Sequence, residues 1–386
     1  MEKKPKLWTN ILILAITLIV CLTILDIVVG VIAPQPTHKL LKERLMPIFQ
    51  ESELLPWELL PNTNITHRGV FSEWEVNVLI NNKGLRDNQF NFELKEDHLK
   101  LLCLGDSFAL GYGVEYDESY CSLTAEMLEK STGKKIQAIN AAYASGYTYD
   151  TAYLFLRENI DLYTPDLVVF GFFYGNDLGD ALSHTYVYNE NNKLTKIISP
   201  SLFINDNHQR EVQQLDINIP LLNPIHKFLN KNSNLYVLTK NIFKPSILRS
   251  LTPPALNSLY YNNEDTDKLW QKSVPFLAKM NAICKENNCN FIILQIPGKD
   301  EVDNKRFEEM KYALNLDPEL TDWDHGNNKL KEICNENNLT CIYILDQFRK
   351  LNKDNSFYFN MDGHWNREGH KFASTILAQE LSEALT

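Results

Sequence analysis

Three residues of this 386-residue chain have the types that nucleophilic catalysis uses. Ser107 follows a short apolar run in "LLCLGDSFALGYGV", and Asp362 and His364 stand together in "FNMDGHWNREGH". A serine hydroxyl is a weak nucleophile at neutral pH and needs an adjacent base, which an imidazole held by a carboxylate supplies. Together the three residues predict a site in which Ser107 attacks an ester carbonyl.

Each of these residues, taken singly, also has a structural explanation. Ser107 is of a type that caps the helix after it, Asp362 suits a helix start, and His364 suits a surface or hydrogen-bonded position. The G-x-S-x-G elbow of α/β-hydrolases is absent, because position 109 is Ala. The catalytic interpretation therefore depends on the residues occurring together.

For this chemistry the fold must bring Ser107 close to Asp362 and His364, which are distant in the chain, and the edge of a β-sheet is a place where this can occur. From residue 99 onward apolar runs alternate with helical stretches, which is typical of parallel βαβ units. This predicts an α/β fold, a three-layer sandwich with a flavodoxin-like, doubly wound, five-stranded parallel sheet. The predicted strands are Lys100–Leu104, Lys135–Asn140, Leu167–Phe173, Asn290–Ile296 and Cys341–Leu345, and the predicted helices lie at 118–131, 148–162, 266–287, 326–338 and 367–385.

Two further residues belong at the same edge of the predicted sheet. Gly146, in "NAAYASGYT", follows the second strand, and Asn176, in "FYGNDLGD", follows the third. Ligands of doubly wound sheets bind at the carboxyl ends of the strands, near the switch point. Asn176 also suits an Asx turn. We expect both residues to lie close to Ser107.

The four blocks together resemble the SGNH or GDSL-type hydrolases, over residues 99–178 and 289–384. "GDSF", "NAAYASGYT", "YGND" and "DGHWN" are similar to the four blocks of that family. The resemblance implies the SGNH hydrolase fold, with Ser107 as nucleophile, His364 as base and Asp362 as acid. It further implies an oxyanion hole formed by the backbone N–H groups of Ser107 and Gly146 and the side chain of Asn176. This chemistry requires no metal and no organic cofactor.

The last block departs from the family pattern. Many members have Asp-x-x-His, whereas this chain has Asp362-Gly-His364 followed by a tryptophan. This resembles membrane-associated relatives that handle bacterial exopolysaccharides, including alginate-acetylation proteins. The resemblance implies an esterase that removes O-acetyl or similar groups from a cell-surface glycan, or an O-acyltransferase that modifies an envelope polysaccharide. A non-catalytic scaffold of an envelope complex, acting through an insertion at 179–262, is a third hypothesis.

The N-terminus predicts a membrane anchor. Lys3, Lys4 and Lys6 precede an apolar run from Ile11 to Ala33, which is long enough to cross a bilayer as a helix. Lysines before the run and few after it predict a cytoplasmic N-terminus and an extracytoplasmic body, periplasmic or at the cell surface. A cleaved signal peptide is the alternative. Asp26, near the outer end of the run, is expected at the interface.

The domain organisation follows from these patterns. We expect a cytoplasmic tail at 1–10, the anchor at 11–33, a linker and N-terminal extension at 34–98, and the hydrolase domain at 99–386 with its insertion. The net charge is -11, and there is no basic block beyond the first lysines. Nucleic acid is therefore excluded as a partner, which leaves an acylated glycan or other ester, and the membrane.

The seven cysteines show no C-x-x-C or zinc-site spacing. In an extracytoplasmic body, Cys284–Cys289 and Cys334–Cys341 are candidate disulfides, with four unpaired thiols as the alternative. Cys103 and Cys121 lie in apolar surroundings and are predicted to be thiols of the core.

A few other polar residues are predicted to be structural. Asp106 and Asp177 are expected to order loops, and His370 is expected to pack within the last helix. The motif "NNKGLRD", at 81–87, is predicted to form a turn, and a carboxylate is a candidate partner for its Arg86.

Overall fold

The computed structural model describes residues 7–35, 37, 39–40, 44–144, 146–199, 202–204, 207–212, 223–240, 260–314, 316–353 and 356–385. Lys3, Lys4 and Lys6 of the predicted tail, and parts of the predicted linker and insertion, lie outside these residues.

The strands are β1 (Phe49–Gln50), β2 (Glu58–Leu59), β3 (Thr63–Arg68), β4 (Glu75–Ile80), β5 (Arg86–Asp87), β6 (Leu99–Gly105), β7 (Ile136–Asn140), β8 (Leu167–Phe172), β9 (Thr185–Tyr188), β10 (Leu194–Ile198), β11 (Leu202–Ile204), β12 (Arg210–Val212), β13 (Asn290–Gln295) and β14 (Thr340–Ile342). The α-helices are α1 (Leu7–Ile32), α2 (Ser107–Leu110), α3 (Tyr120–Thr132), α4 (Tyr149–Tyr163), α5 (Tyr174–Asp180), α6 (Asn223–Asn232), α7 (Glu264–Glu286), α8 (Lys299–Val302), α9 (Asn304–Leu314), α10 (His325–Glu336), α11 (Leu345–Leu351) and α12 (Arg367–Leu385). Residues 234–240 are also helical.

The main sheet has the order β14-β13-β8-β6-β7-β5-β4-β3. The strands from β14 to β7 are parallel. Numbered along the chain, these parallel strands have the order 2-1-3-4-5 of a flavodoxin-like, doubly wound sheet, which places the switch point between β6 and β8. The predicted α/β class and its parallel strands are confirmed. The predicted fifth strand was too long, because β14 ends at Ile342 and α11 begins at Leu345.

Among the described residues the main sheet has eight strands, so three strands are added to the five parallel strands that were predicted. The additional strands β3, β4 and β5 are antiparallel, and β5 joins them to the parallel part through the pairing of Arg86 with Asn140. Burial alternates along β4, as expected of a strand that is covered on one face. The segment predicted as linker and extension therefore contributes the edge of the main sheet.

Apolar strands and amphipathic helices explain the layered core. All six residues of β8 are buried, as a strand covered on both faces requires. Helix α12 packs against α3, and α7 packs against α4, so that each pair forms a helical layer against the sheet. This packing holds the carboxyl ends of β6 and β8 side by side.

The described residues form two compact units. The first comprises those within 1–45 and 214–250, and the second comprises those within 46–213 and 251–386. In the first unit, α1 covers most of the predicted anchor and is long and apolar enough to cross a membrane. Its apolar side chains are largely exposed.

The cysteine pairing differs in part from expectation. Cys334 and Cys341 form the predicted disulfide, but Cys103 and Cys121, predicted to be core thiols, also form one. Cys103 lies on β6 and Cys121 in the first turn of α3, so the fold brings together two positions that no local pattern links. Cys284 and Cys289 are free thiols, so for this pair the alternative of unpaired thiols holds.

Candidate active site

Ser107 occupies the first position of α2, directly after β6. The turn into the helix requires glycine at position 105, where φ is 139° and a Cβ would lie 2.8 Å from the carbonyl oxygen of Gly171. Asp106 is the helix cap, since its carboxylate accepts the N–H of Phe108 at 3.0 Å. The capping role considered for Ser107 therefore belongs to its neighbour, and the Ser107 hydroxyl is left for another partner.

That partner is His364. The Oγ of Ser107 lies 2.7 Å from Nε2 of His364, and Nδ1 of His364 lies 2.5 Å from Oδ1 of Asp362. Oδ1 of Asp362 also accepts the backbone N–H of His364 at 3.0 Å. The aspartate thus folds back onto the residue two positions later, and the short Asp-Gly-His spacing still delivers a continuous hydrogen-bonded relay.

The carboxylate determines the tautomer of the imidazole. An ionised carboxylate can accept hydrogen bonds but cannot donate them, so Nδ1 of His364 donates to Asp362. Nε2 of His364 is then left to accept the proton of Ser107. Burial would raise the pKa of Asp362, but the hydrogen bond and charge of His364 hold it below its usual value. Asp362 is therefore ionised at neutral pH.

Glu73, from the turn between β3 and β4, holds the loop that carries the acid. Its Oε2 accepts the backbone N–H groups of Met361 and Asp362, at 3.0 and 2.9 Å, and its Oε1 accepts that of Met361 at 2.9 Å. These contacts join the antiparallel edge of the sheet to the last block of the sequence. Nothing in the motifs indicated a role for Glu73.

Lys299 also binds the loop that carries Asp362. Its Nζ donates to the carbonyl oxygens of Phe359 and Asn360, at 2.7 and 2.9 Å. The residue is 4% exposed, and burial lowers its pKa from the usual lysine value. A buried ammonium group next to two backbone carbonyls fixes the path of the chain toward Asp362.

Aromatic rings surround the imidazole. The ring centroid of His364 lies 4.9 Å from that of Phe108 and 4.7 Å from that of Tyr112. Trp74, again from the β3–β4 turn, lies 4.9 Å from Tyr112 and 6.0 Å from Phe359. These contacts restrict the motion of the imidazole ring and make one wall of the site apolar.

Arg86 binds the loop that follows α2. Its guanidinium donates to the carbonyl oxygens of Leu110 at 2.7 Å, Val114 at 2.5 Å, and Gly111. The side chain is buried, and burial lowers its pKa to about 10, so it remains charged at neutral pH. The predicted turn is present, but Arg86 pairs with backbone carbonyls where a carboxylate was the candidate.

The candidate oxyanion donors lie on neighbouring segments. Asn176 lies in the first turn of α5, its side chain interacts with Asp106, and its Oδ1 has no hydrogen-bond partner among the described residues. Gly146 has φ of 88°, and its N–H donates to Oδ2 of Asp180 at 2.9 Å. The structure thus brings Asn176 to the residue before Ser107, while the amide of Gly146 has a carboxylate acceptor.

Two buried carboxyl groups lie behind the nucleophile. Burial raises the pKa of Asp106 to about 7, although the N–H of Phe108 and the charge of His364 oppose the shift. Burial and the charge of Asp106 raise the pKa of Asp177 well above its usual value. Asp177 is fully buried, which favours its neutral form.

The remaining histidine of the last block packs as expected. His370 is buried, and its Nδ1 accepts the N–H of Tyr120 at 3.3 Å. Within the part of the chain that the structure describes, no group of three His, Cys, Asp or Glu side chains is arranged to hold a metal ion.

The fold and site define a serine–histidine–aspartate relay at the switch point of a doubly wound sheet. No family model and no curated protein matches the sequence. Among solved structures, the chain is similar to a lipase/acylhydrolase from Enterococcus faecalis, with 14% identity over 74% of this chain and 96% of that chain and a TM-score of 0.38.

Two further similar structures are esterases. One is a catalytic mutant of Axe2, an acetylxylan esterase from Geobacillus stearothermophilus, with 13% identity over 75% of this chain and 96% of that chain and a TM-score of 0.38. The other is the psychrotrophic esterase EstA from Pseudoalteromonas sp., with 13% identity over 74% and 98% and a TM-score of 0.37. At these values the likeness does not by itself assign an activity to this chain.

Proposed function

We propose that this protein is a serine ester hydrolase that removes O-acyl groups, with O-acetyl the first candidate, from a glycan through an acyl-Ser107 intermediate. The single observation that carries the proposal is the unbroken relay from Ser107 through His364 to Asp362, with distances of 2.7 and 2.5 Å. A helix cap or a surface histidine does not require such a relay, because neither role uses all three groups together.

The geometry supports the following sequence of steps. Oγ of Ser107 attacks the ester carbonyl while Nε2 of His364 takes its proton, and Asp362 stabilises the imidazolium. Collapse of the tetrahedral intermediate breaks the bond to the alcohol, which leaves with the proton from His364. Water then attacks the acyl-serine, again giving its proton to His364, and the acid is released as Ser107 is restored.

The oxyanion is proposed to be held by the backbone N–H of Ser107 and the side chain of Asn176. An amide nitrogen carries two hydrogens, so its interaction with Asp106 leaves one for the substrate. Each such donor contributes about 3 kcal/mol to transition-state stabilisation. Gly146 joins this set only when its N–H is released from Asp180, to which it donates here.

The proposed location is a single-pass membrane protein with a cytoplasmic N-terminus and an extracytoplasmic second unit. Helix α1 supports the anchor, because it is apolar and its apolar side chains are largely exposed. The disulfides Cys103–Cys121 and Cys334–Cys341 support an oxidising compartment. An acylated glycan outside the cytoplasm is the substrate that fits this placement.

The test uses the full chain in lipid nanodiscs. Release of p-nitrophenol from p-nitrophenyl acetate and of acetate from an acetylated glycan is measured, with and without an acceptor oligosaccharide, and compared with Ser107→Ala. We expect acetate release that Ser107→Ala abolishes. Turnover that Ser107→Ala leaves unchanged contradicts the proposal, and acetylated acceptor in excess of free acetate assigns the O-acyltransferase activity in its place.

A further inference from the structure

The segment 223–240 is fixed to the C-terminal end of α1 within the first unit. Oδ1 of Asp26 accepts the hydroxyl of Ser233 and the N–H of Leu235, both at 2.7 Å. Oδ1 of Asn234 accepts the N–H of Gln35 at 2.9 Å. These bonds place the start of the helical residues 234–240, and α6 immediately before it, beside the last turns of α1.

Helix α1 and the segment 233–235 approach each other closely near Gly30. A Cβ at position 30 of α1 would lie 2.9 Å from Nδ2 of Asn234, so glycine permits the contact. The partners of Asp26 also satisfy a carboxylate that an apolar helix would otherwise leave without hydrogen bonds at the membrane boundary. The residues directly after α6 are therefore fixed to α1 by specific contacts.

Helix α6 exposes apolar side chains that the described residues of the first unit leave uncovered. Ile225 and Phe228 are 60% and 65% exposed and lie one helical turn apart on the same face. Lys227 and Lys231 are exposed and lie one turn apart on another face. Residues 223–240 contain three lysines and no acidic residue, although the chain as a whole carries a net charge of -11.

We propose that α6 lies in the plane of the bilayer interface, with Ile225 and Phe228 among the upper acyl chains and Lys227 and Lys231 at anionic lipid headgroups. An amphipathic helix with apolar residues on one face and lysines on another binds such a surface. The partner is a lipid surface because residues 233–235, directly after α6, are hydrogen-bonded to the end region of the apolar α1, which brings the exposed face of α6 to a bilayer. The inference rests on the proposed anchoring by α1.

The depth of the α6 face in lipid tests this inference. The background is the full chain with Cys21→Ser, which removes the exposed free thiol. Into it we introduce Phe228→Cys or Ile225→Cys, and Lys227→Cys as the matched control on the lysine face. Each variant is labelled with a small environment-sensitive fluorophore. Labelling under native conditions spares the buried thiols Cys284 and Cys289, and the unsubstituted parent measures any residual labelling. The variants are placed in nanodiscs of phosphatidylcholine with or without phosphatidylglycerol and with doxyl-labelled lipid as quencher.

We expect a blue-shifted emission and several-fold stronger quenching by doxyl lipid at positions 225 and 228 than at 227, and stronger quenching with phosphatidylglycerol present. Lys227→Glu with Lys231→Glu should weaken quenching at position 228 in the anionic discs and leave it unchanged in the neutral discs. Equal quenching at 227 and 228, or no dependence on lipid charge, overturns the inference.

Two other outcomes would overturn lipid contact in different ways. A blue shift at position 228 without quenching by doxyl lipid indicates a protein partner or a second copy of the chain, and overturns lipid contact. Chain that does not co-elute with the discs shows that α1 is not an anchor, so the proposed location fails together with the inference. Esterase turnover, measured on the same samples, reports the catalytic proposal separately.

Discussion

Oγ of Ser107 lies 2.7 Å from Nε2 of His364, although 257 positions separate the two residues in the chain. Strand β6 delivers the serine, and the loop before α12 delivers the histidine. Such a contact needs support on both sides, because the site must be held to within a fraction of an ångström. Asp106 and Arg86 support the serine side, and Glu73 and Lys299 support the histidine side.

Removing either end of the relay should abolish turnover without unfolding the chain. Ser107→Ala leaves no nucleophile, and Asp362→Asn leaves an imidazole in the wrong tautomer, which lowers kcat by about 10⁴ in a comparable triad. Hydrolysis of p-nitrophenyl acetate and urea unfolding check both effects. An active Asp362→Asn variant contradicts the assigned role of Asp362.

Glu73 should act as a positioning residue for Asp362. Glu73→Gln removes the charge that holds two backbone N–H groups, and Glu73→Ala removes the acceptor altogether. Loss of one charge-assisted hydrogen bond costs about 1.5–3 kcal/mol, so kcat of Glu73→Ala should fall at least about tenfold, with a smaller change in KM.

The matched control for Glu73 is on the same hairpin. Glu75→Gln removes a carboxylate that pairs with Arg68 at the surface, where such pairs contribute about 0–1 kcal/mol. Its kcat should equal that of the wild type. If Glu73→Ala and Glu75→Gln have the same kcat and pH profile, Glu73 does not position the acid.

Arg86 should contribute strongly to stability. Arg86→Met leaves the carbonyl oxygens of Leu110, Gly111 and Val114 without their buried donor. A buried acceptor left without its donor costs about 1–3 kcal/mol, so the free energy of unfolding in urea should fall by at least that amount, and kcat should fall with it. The exposed Arg68→Ala serves as the control, and an equal effect of the two changes would refute the role of Arg86.

The pH dependence of stability should report Asp177. Its pKa in the folded protein is raised above the usual 3.8 by burial, so folded protein keeps a proton that unfolded protein releases. The free energy of unfolding therefore falls as pH rises above about 4, by at most roughly 1.4 kcal/mol per pH unit for one group.

Asp177→Asn should make the free energy of unfolding less dependent on pH. Urea unfolding at pH 5 and pH 7.5 is compared for the wild type, Asp177→Asn and the exposed control Asp161→Asn. We expect a smaller loss of stability between the two pH values in Asp177→Asn alone. Three equal slopes mean that Asp177 is ionised in the folded protein.

The sequence predicted the parallel part of the fold and the relay because both follow from local patterns. Each apolar run before Ser107, Gly146 and Asn176 is a buried strand, and parallel order forces their ends to one edge. The block around Asp362 and His364 was recognisable because two functional residues stand two positions apart. Their roles as catalytic groups remain predictions.

The supports of the site were not predictable in this way. Glu73 and Lys299 bind backbone atoms of distant residues. Because nearly every residue has the same backbone groups, the sequence does not indicate which residues such a side chain will contact. The antiparallel strands β3 to β5 are short and interrupt the βαβ rhythm, so their place in the main sheet was missed. Cys103 and Cys121 were missed as a pair because the bond depends on how α3 packs on β6.

That disulfide leads to the last prediction. Cys103 and Cys121 are 18 positions apart, and closing a loop of that size stabilises a protein by roughly 3 kcal/mol in the chain-entropy model. Cys103→Ala with Cys121→Ala should lower the free energy of unfolding by about that amount, and should lower kcat, because β6 leads directly to Ser107. The matched control is Cys284→Ala with Cys289→Ala, which removes two thiols and no disulfide. Urea unfolding and p-nitrophenyl acetate hydrolysis compare the two double variants, and equal losses in both would show that packing of the thiols, and not the disulfide, stabilises the strand beneath the nucleophile.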